Sequence, residues 1–140
     1  MQTKPDFTAI QPGDALPPLT LPPVDRTTLA LYAGASNDHN PIHIDIDYAK
    51  RAGLPDVFAH GMLSMAYLAQ VLTRSFDQRA IRSYGVRFVS ITPVKATVTC
   101  TGKVTEIFEA DGERRARLAL TATIDGGVVT LQGDAVVALN

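Results

Sequence analysis

From Gly61 to about Thr73 the chain reads Gly-Met-Leu-Ser-Met-Ala-Tyr-Leu-Ala-Gln-Val-Leu-Thr, apolar on nearly every face and with no glycine or proline inside it. A helix of that composition is expected to be buried all round, so whatever encloses it must be apolar on its inner side. The second half of the chain supplies such a wrapping. Val94, Ala96, Val98, Cys100 and Val104 alternate with Lys95, Thr97, Thr99, Thr101 and Lys103, which is the period of a half-buried strand. Ala116, Leu118, Leu120 and Ala122 repeat the pattern against Arg115, Arg117 and Thr121, and Val129, Leu131, Ala135, Val137 and Leu139 form a last strand. Asp111-Gly112 and Asp125-Gly126-Gly127 mark the turns between them. With Tyr84, Val86 and Phe88 leading an earlier strand, the second half predicts an antiparallel meander around the one apolar helix.

One central buried helix wrapped by a curved antiparallel sheet is an α+β arrangement, the hotdog fold. Such a sheet leaves an edge unpaired in a single chain, and edges are commonly hidden against a second subunit, so a dimer is expected. A length of 140 residues fits one domain over 1–140. Pro5, Pro12, Pro17, Pro18, Pro22 and Pro23 all precede residue 24, which makes 1–24 an extended arm with at most an edge strand around Ala15 to Leu21. After it, Asp25 or Thr27 caps a short helix through Leu29, Ala30, Leu31, Tyr32 and Ala33. A second short helix near Asp47 to Ala52 takes Asp47 as its cap and Gly53 as its stop.

A formal net charge of −1, from 13 Lys+Arg against 14 Asp+Glu, gives no footprint for a nucleic acid or an anionic membrane. Cys100 is the only cysteine, so neither a disulfide framework nor a thiolate zinc site is available, and a reducing compartment is the simplest home. Cys100 reads as a small apolar strand residue. The stretch Met1 to Asp6 carries no apolar leader core, and no apolar run reaches bilayer length, so a cytoplasmic protein is expected.

The chemistry-bearing stretch is Asn37-Asp38-His39-Asn40-Pro41-Ile42-His43. Pro41 lacks an amide hydrogen and pushes Asn40 out of the α region, so Asp38 and His43 cannot share an unbroken helix. A bent loop must aim each of them. A carboxylate and an imidazole brought together in this way can move protons near neutral pH. Asp38 also has an ordinary reading as a turn residue and His43 as a hydrogen-bonded structural histidine, and the residues by themselves leave both open. His39, His43 and His60 with Asp38, Asp45 or Asp56 raise a metal site. Pro41 lies between His39 and His43, which removes the helical spacing such a pair would use, and no metal is expected.

Tyr32-Ala33-Gly34-Ala35-Ser36-Asn37-Asp38-His39-Asn40-Pro41-Ile42-His43, followed by His60-Gly61-Met62, resembles the signature of MaoC-like hydratases and dehydratases, which include (R)-specific enoyl-CoA hydratases and (3R)-hydroxyacyl-ACP dehydratases. The resemblance runs from about Thr27 to the C-terminus. It implies that Asp38 and His43 are the catalytic pair, that Asn40 fixes the loop, and that the Gly61 amide donates to the thioester carbonyl. The implied reaction is reversible addition of water to a trans-2-enoyl thioester carried on CoA or acyl carrier protein, without a cofactor. Asn37 stands where the family usually has Gly, and Asn tolerates positive φ. Ala69 stands where some (R)-hydratases carry a Ser.

The residues agree with that chemistry. Hydration of a conjugated thioester needs a base for water, an acid for Cα and a donor for the charge on the carbonyl oxygen. Asp38 and His43 can share the first two tasks through one water, and an amide at the amino end of the buried helix supplies the third. His60 is expected to cap or orient that helix, and Ser64 to face a neighbour or the pocket. Met62, Met65 and Tyr67 are candidates for an acyl pocket. Two rival readings remain: a hotdog thioesterase in which Asp38 activates water against the carbonyl, and a non-catalytic acyl-thioester-binding subunit of a heteromeric dehydratase paired with a second hotdog chain.

Overall fold

The computed structural model describes Phe7 and residues 9–139, so the start of the expected arm, Pro5 included, lies outside the described residues. Helix α1 spans Arg26–Ser36, and of the two candidate caps it uses Asp25, whose Oδ1 accepts from the Thr28 amide and hydroxyl at 2.7 Å each. It ends where Asn37 turns left-handed, at φ 60° and ψ 21°. Helix α2 spans Ile46–Arg51 and corrects the expected cap: Asp45, not Asp47, takes the role, accepting from the Asp47 and Tyr48 amides at 2.9 and 3.3 Å. Asp47 instead lies in the first turn, where a carboxylate favours the positive end of the helix. Gly53, at φ 88°, stops α2 as expected, since that conformation costs a side chain dearly.

Helix α3 spans Gly61–Ser75 and lies in the hollow of the sheet. Leu68, Val71 and Leu72 are fully enclosed, against a core that includes Val98, Cys100, Leu118, Leu120 and Leu131. Removing one such leucine to alanine costs roughly 2–5 kcal/mol, so this contact is a large share of what holds a domain together. At Gly102 a Cβ would come within 3.0 Å of Leu120 and 3.2 Å of Val71, so glycine lets α3 approach β3. The expectation of burial on every side needs correction. Met62 is 57 % exposed and Ala66 is open as well, because the sheet encloses only part of the helix in a single chain.

The strands are β1 (Leu19–Thr20), β2 (Ile81–Phe88), β3 (Thr99–Ala110), β4 (Glu113–Ile124) and β5 (Val128–Ala138). They form one antiparallel sheet in the order β1-β3-β4-β5-β2. The meander therefore holds for β3, β4 and β5. Strand β2, which precedes them in sequence, crosses to the far side and pairs with β5, not with β3. Bulges within the β2–β5, β3–β4 and β4–β5 ladders bend the sheet around α3, giving the hotdog fold. Burial pushes the Cys100 thiol up to about 11, in keeping with an inert core residue.

The arm behaves as an edge strand beyond its two regular residues. Gly13, Leu16, Leu21 and Val24 donate their amides to Val104, Gly102, Val98 and Ala96 in turn. Pro17, Pro18, Pro22 and Pro23 fall between those donors and Pro12 just before the first, so the arm meets its neighbour with the amides it has and presents few to solvent. That leaves β2 as the open edge of the sheet.

Candidate active site

Left-handed Asn37 reverses the chain after α1 and throws Asp38 to the surface beside the start of α3. The Asp38 amide donates to Ser36 Oγ at 3.2 Å and its Oδ1 accepts from the Asn40 amide at 3.3 Å, so the loop folds on its own side chains. Asn40 has ψ 121°, as a residue before proline must, and its Oδ1 accepts from the Ile42 amide at 3.1 Å. Pro41–His43 then make one turn of 3₁₀ helix, which turns His43 inward. Asn40 thus closes the turn with its side chain.

His43 is 8 % exposed, and its Nδ1 lies 2.8 Å from the main-chain oxygen of Phe58. A carbonyl only accepts, so Nδ1 carries the hydrogen and Nε2 is the nitrogen left for chemistry. The Phe58 ring meets the His43 ring edge-on at 4.9 Å. His60 is 1 % exposed and stacks on His43 with ring centres 4.1 Å apart. Its Nε2 donates to the Asp38 carbonyl at 3.1 Å, and its Nδ1 is buried without a partner among the described residues. Burial holds the His60 imidazole below its ordinary pKa; the Asp38 carbonyl opposes this, His43 adds to it, and the Asp38 carboxylate opposes it least.

One nitrogen from each imidazole and one Asp38 carboxylate oxygen all lie within 4.8 Å of one another. A water accepting or donating at about 2.8 Å to two of these groups spans that gap. A metal ion fits less well. Zinc takes an imidazole lone pair in the ring plane at about 2.0–2.1 Å, whereas stacked rings inclined by 27° aim their lone pairs side by side. The other groups in the metal reading are placed elsewhere: His39 is exposed, Asp45 caps α2, and Asp56 pairs with Arg26.

Gly61 is the first residue of α3, so its amide has no acceptor within the helix, and none is found among the described residues. His60 precedes it at φ −55° and ψ 133° and caps the helix through its main chain alone, so the side chain serves the loop rather than the helix end. A cleft of about 330 Å³ opens beside Gly61, walled by Phe58, Ser64, Phe88, Ile91, Thr92 and Leu131 among others. Ser64 Oγ and Thr92 Oγ1, both buried, pair at 3.3 Å in its wall. Ser64 therefore does both things expected of it. Met62, Met65 and Tyr67 do not line this cleft; Met62 faces solvent, Met65 and Tyr67 are half-buried against the core, and the Met65 carbonyl accepts from Tyr84 Oη at 2.7 Å.

Phe58 and Phe88 are site residues that sequence reading missed, and Tyr32, which opens the signature stretch, was given no role in the site. Phe58 holds His43 through a main-chain oxygen, which has no signature in the sequence. Tyr32, read as a helix residue, meets the His60 ring edge-on at 4.8 Å, and Phe88, read as a strand residue, walls the cleft. Only closeness in the folded chain marks Phe58 and Phe88.

The MaoC like domain model matches residues 9–125. An (R)-specific enoyl-CoA hydratase from Rhodospirillum rubrum is 33 % identical over 81 % of this chain and 78 % of its own. Among solved structures, a MaoC-like dehydratase is 32 % identical with a TM-score of 0.86, over 98 % of this chain and 43 % of that one. The (R)-hydratase from A. caviae involved in PHA biosynthesis is 25 % identical with a TM-score of 0.79, over 94 % of this chain and 98 % of that one. Family match and fold agree: this chain is a member of the MaoC-like hydratase and dehydratase family.

Proposed function

We propose that this protein is a hydro-lyase of fatty-acid metabolism that adds water to trans-2-enoyl thioesters, forming (3R)-hydroxyacyl thioesters, and catalyses the reverse dehydration. The observation that carries the reading is the His43 imidazole, tethered at Nδ1 and free at Nε2, within one water of the Asp38 carboxylate. In the resting pair both groups accept hydrogen bonds. A water held between them donates both hydrogens and keeps a lone pair for the substrate Cβ. As the C–O bond forms, the pair takes one proton from the water and one proton is delivered to Cα, so the sum is water across the double bond. Negative charge gathers on the thioester oxygen, and the Gly61 amide, first in α3 and so at its positive end, receives it. Asn40 and His60 hold the loop. The chemistry asks for no metal or redox cofactor, and the substrate rides on CoA or acyl carrier protein. The name of the R. rubrum relative supports the same reaction.

We read the β2 edge as the docking side for a second hotdog chain, most simply another copy. Phe88, Val89 and Ile91, at and just beyond the end of that strand, are 56 %, 53 % and 48 % exposed. A lone cysteine that is buried and free fits a reducing, cytoplasmic setting.

The test is loss of the conjugated-enoyl absorbance with trans-2-enoyl-CoA substrates of increasing chain length, with chiral analysis of the product. A (3R)-hydroxyacyl product whose formation disappears in Asp38→Asn supports the reading. Release of free thiol from a saturated acyl-CoA would favour a thioesterase, and binding without turnover a non-catalytic subunit.

A further inference from the structure

His60 touches every part of the proposed machinery. Its Nε2–H reaches the Asp38 carbonyl, its ring stacks on His43, and its main chain caps the helix on which Gly61 is the first residue. Resting on the hydratase reading, we infer that His60 is a positioning residue that works only as the neutral Nε2–H tautomer, locking the Asp38 loop to the His43 ring and leaving His43 as the imidazole that exchanges a proton with the water.

The tautomer follows from hydrogen-bond accounting. With Nε2 facing a carbonyl, the ring's one hydrogen must sit there, and the Nδ1 lone pair is buried with no donor opposite it. A second proton would create an N–H at Nδ1 with no acceptor and place a cation 4.1 Å from the His43 ring. The groups facing His60 offer little compensation. From α1 comes the ring of Tyr32, from the 3₁₀ turn comes His43, and from the loop come the Asp38 carbonyl already in use and, within 4.8 Å, the carboxylate of an exposed residue. Burial outweighs the pull of that carboxylate. Were His60 to ionise, the proton needed on His43 would be opposed by a like charge stacked against it.

The geometry also separates two functions of the ring. The Nε2–H holds Asp38, which a side-chain amide can imitate, while the flat face supports His43, which a phenyl ring can imitate. His60→Gln and His60→Phe therefore split the role.

The experiment is ¹⁵N-histidine NMR of the full chain through pH 5 to 8, with kcat and KM for both variants. We expect His60 shifts of a neutral Nε2–H ring throughout that range. In each variant we expect a fall in kcat of roughly 10- to 100-fold, the range in which a displacement near 1 Å at a reacting group acts, with KM changed by less than about 3-fold. His60→Gln should retain more kcat than His60→Phe. A His60 ring that gains a second proton within that range, a neutral Nδ1–H ring, or variants of unchanged kcat would overturn the proposal. The NMR arm needs no turnover and no variant. A neutral Nε2–H His60 in a protein inactive on enoyl thioesters would count against the hydratase reading and not against the tautomer.

Discussion

His43 Nδ1 donates to the main-chain oxygen of Phe58 across 2.8 Å, and this bond decides which imidazole nitrogen is left for proton transfer. Because Phe58 also walls the cleft beside Gly61, the bond joins the proposed acid–base pair to the place where an acyl thioester has room to lie.

The first prediction concerns that pair. Asp38→Asn and His43→Ala should each lower turnover by at least ~100-fold while leaving the fold intact, since Asp38 is exposed and His43 lies at the edge of the core. Acting through one water, the two should not add: the double variant should be scarcely slower than the slower single one. Multiplying effects in steady-state kinetics would mean independent roles.

Gly61 has a backbone test. At the first helical position, after a residue with ψ 133°, the backbone accepts proline, which removes the amide hydrogen in question and adds a Cβ that an alanine would share. Gly61→Pro should therefore keep most of its thermal stability and lose on the order of 100- to 1,000-fold in turnover. Gly61→Ala, the control, places a Cβ 3.0 Å from the Phe88 ring, which is half exposed and free to give way. Equal activity of the folded proline and alanine variants would remove Gly61 as the donor.

Asn37 occupies the left-handed region at φ 60°. Asn37→Gly should melt at or slightly above the wild-type temperature, while Asn37→Val should lose about 1–2 kcal/mol and much of the activity, because a β-branched side chain fits poorly there. Equal melting temperatures for Gly and Val would contradict the observed turn.

Stability should also respond to acid through Glu113. Arg82 and Arg115, at 2.7 Å each, hold its carboxyl at about 2, below the ordinary 4.5, and the Arg82 bond ties β2 to β4 across the end of β5. A carboxyl depressed by folding stabilises the native state above the unfolded value and stops doing so as the pH falls through the folded one. The urea midpoint of the wild type should exceed that of Glu113→Gln above about pH 4.5, and the gap should close as the pH approaches 2. Added salt should narrow it at every pH. A gap that widens in acid would show that the pairing is not what Glu113 contributes.

What was legible in the sequence was what short-range sterics and periodicity decide. The apolar run of α3, the alternation of Cys100 and its neighbours, and the glycine stop after α2 all follow from rules acting within a few residues. The bend at Pro41 is of the same kind, and with it the presence of Asp38 and His43 on one loop, whereas the left-handed Asn37 was suggested by the family's usual Gly at that position. Choosing Asp45 over Asp47 as a cap was less decidable, because two carboxylates stood within reach of the same helix start. The tertiary structure alone decided which distant groups meet. Closing the sheet around α3 carries β2 past β3 to pair with β5, and it brings His60 against His43 and Tyr32, and the Phe58 oxygen against His43. Those contacts depend on the curvature of the whole sheet and on main-chain atoms every residue possesses, so no local pattern in the sequence announces them.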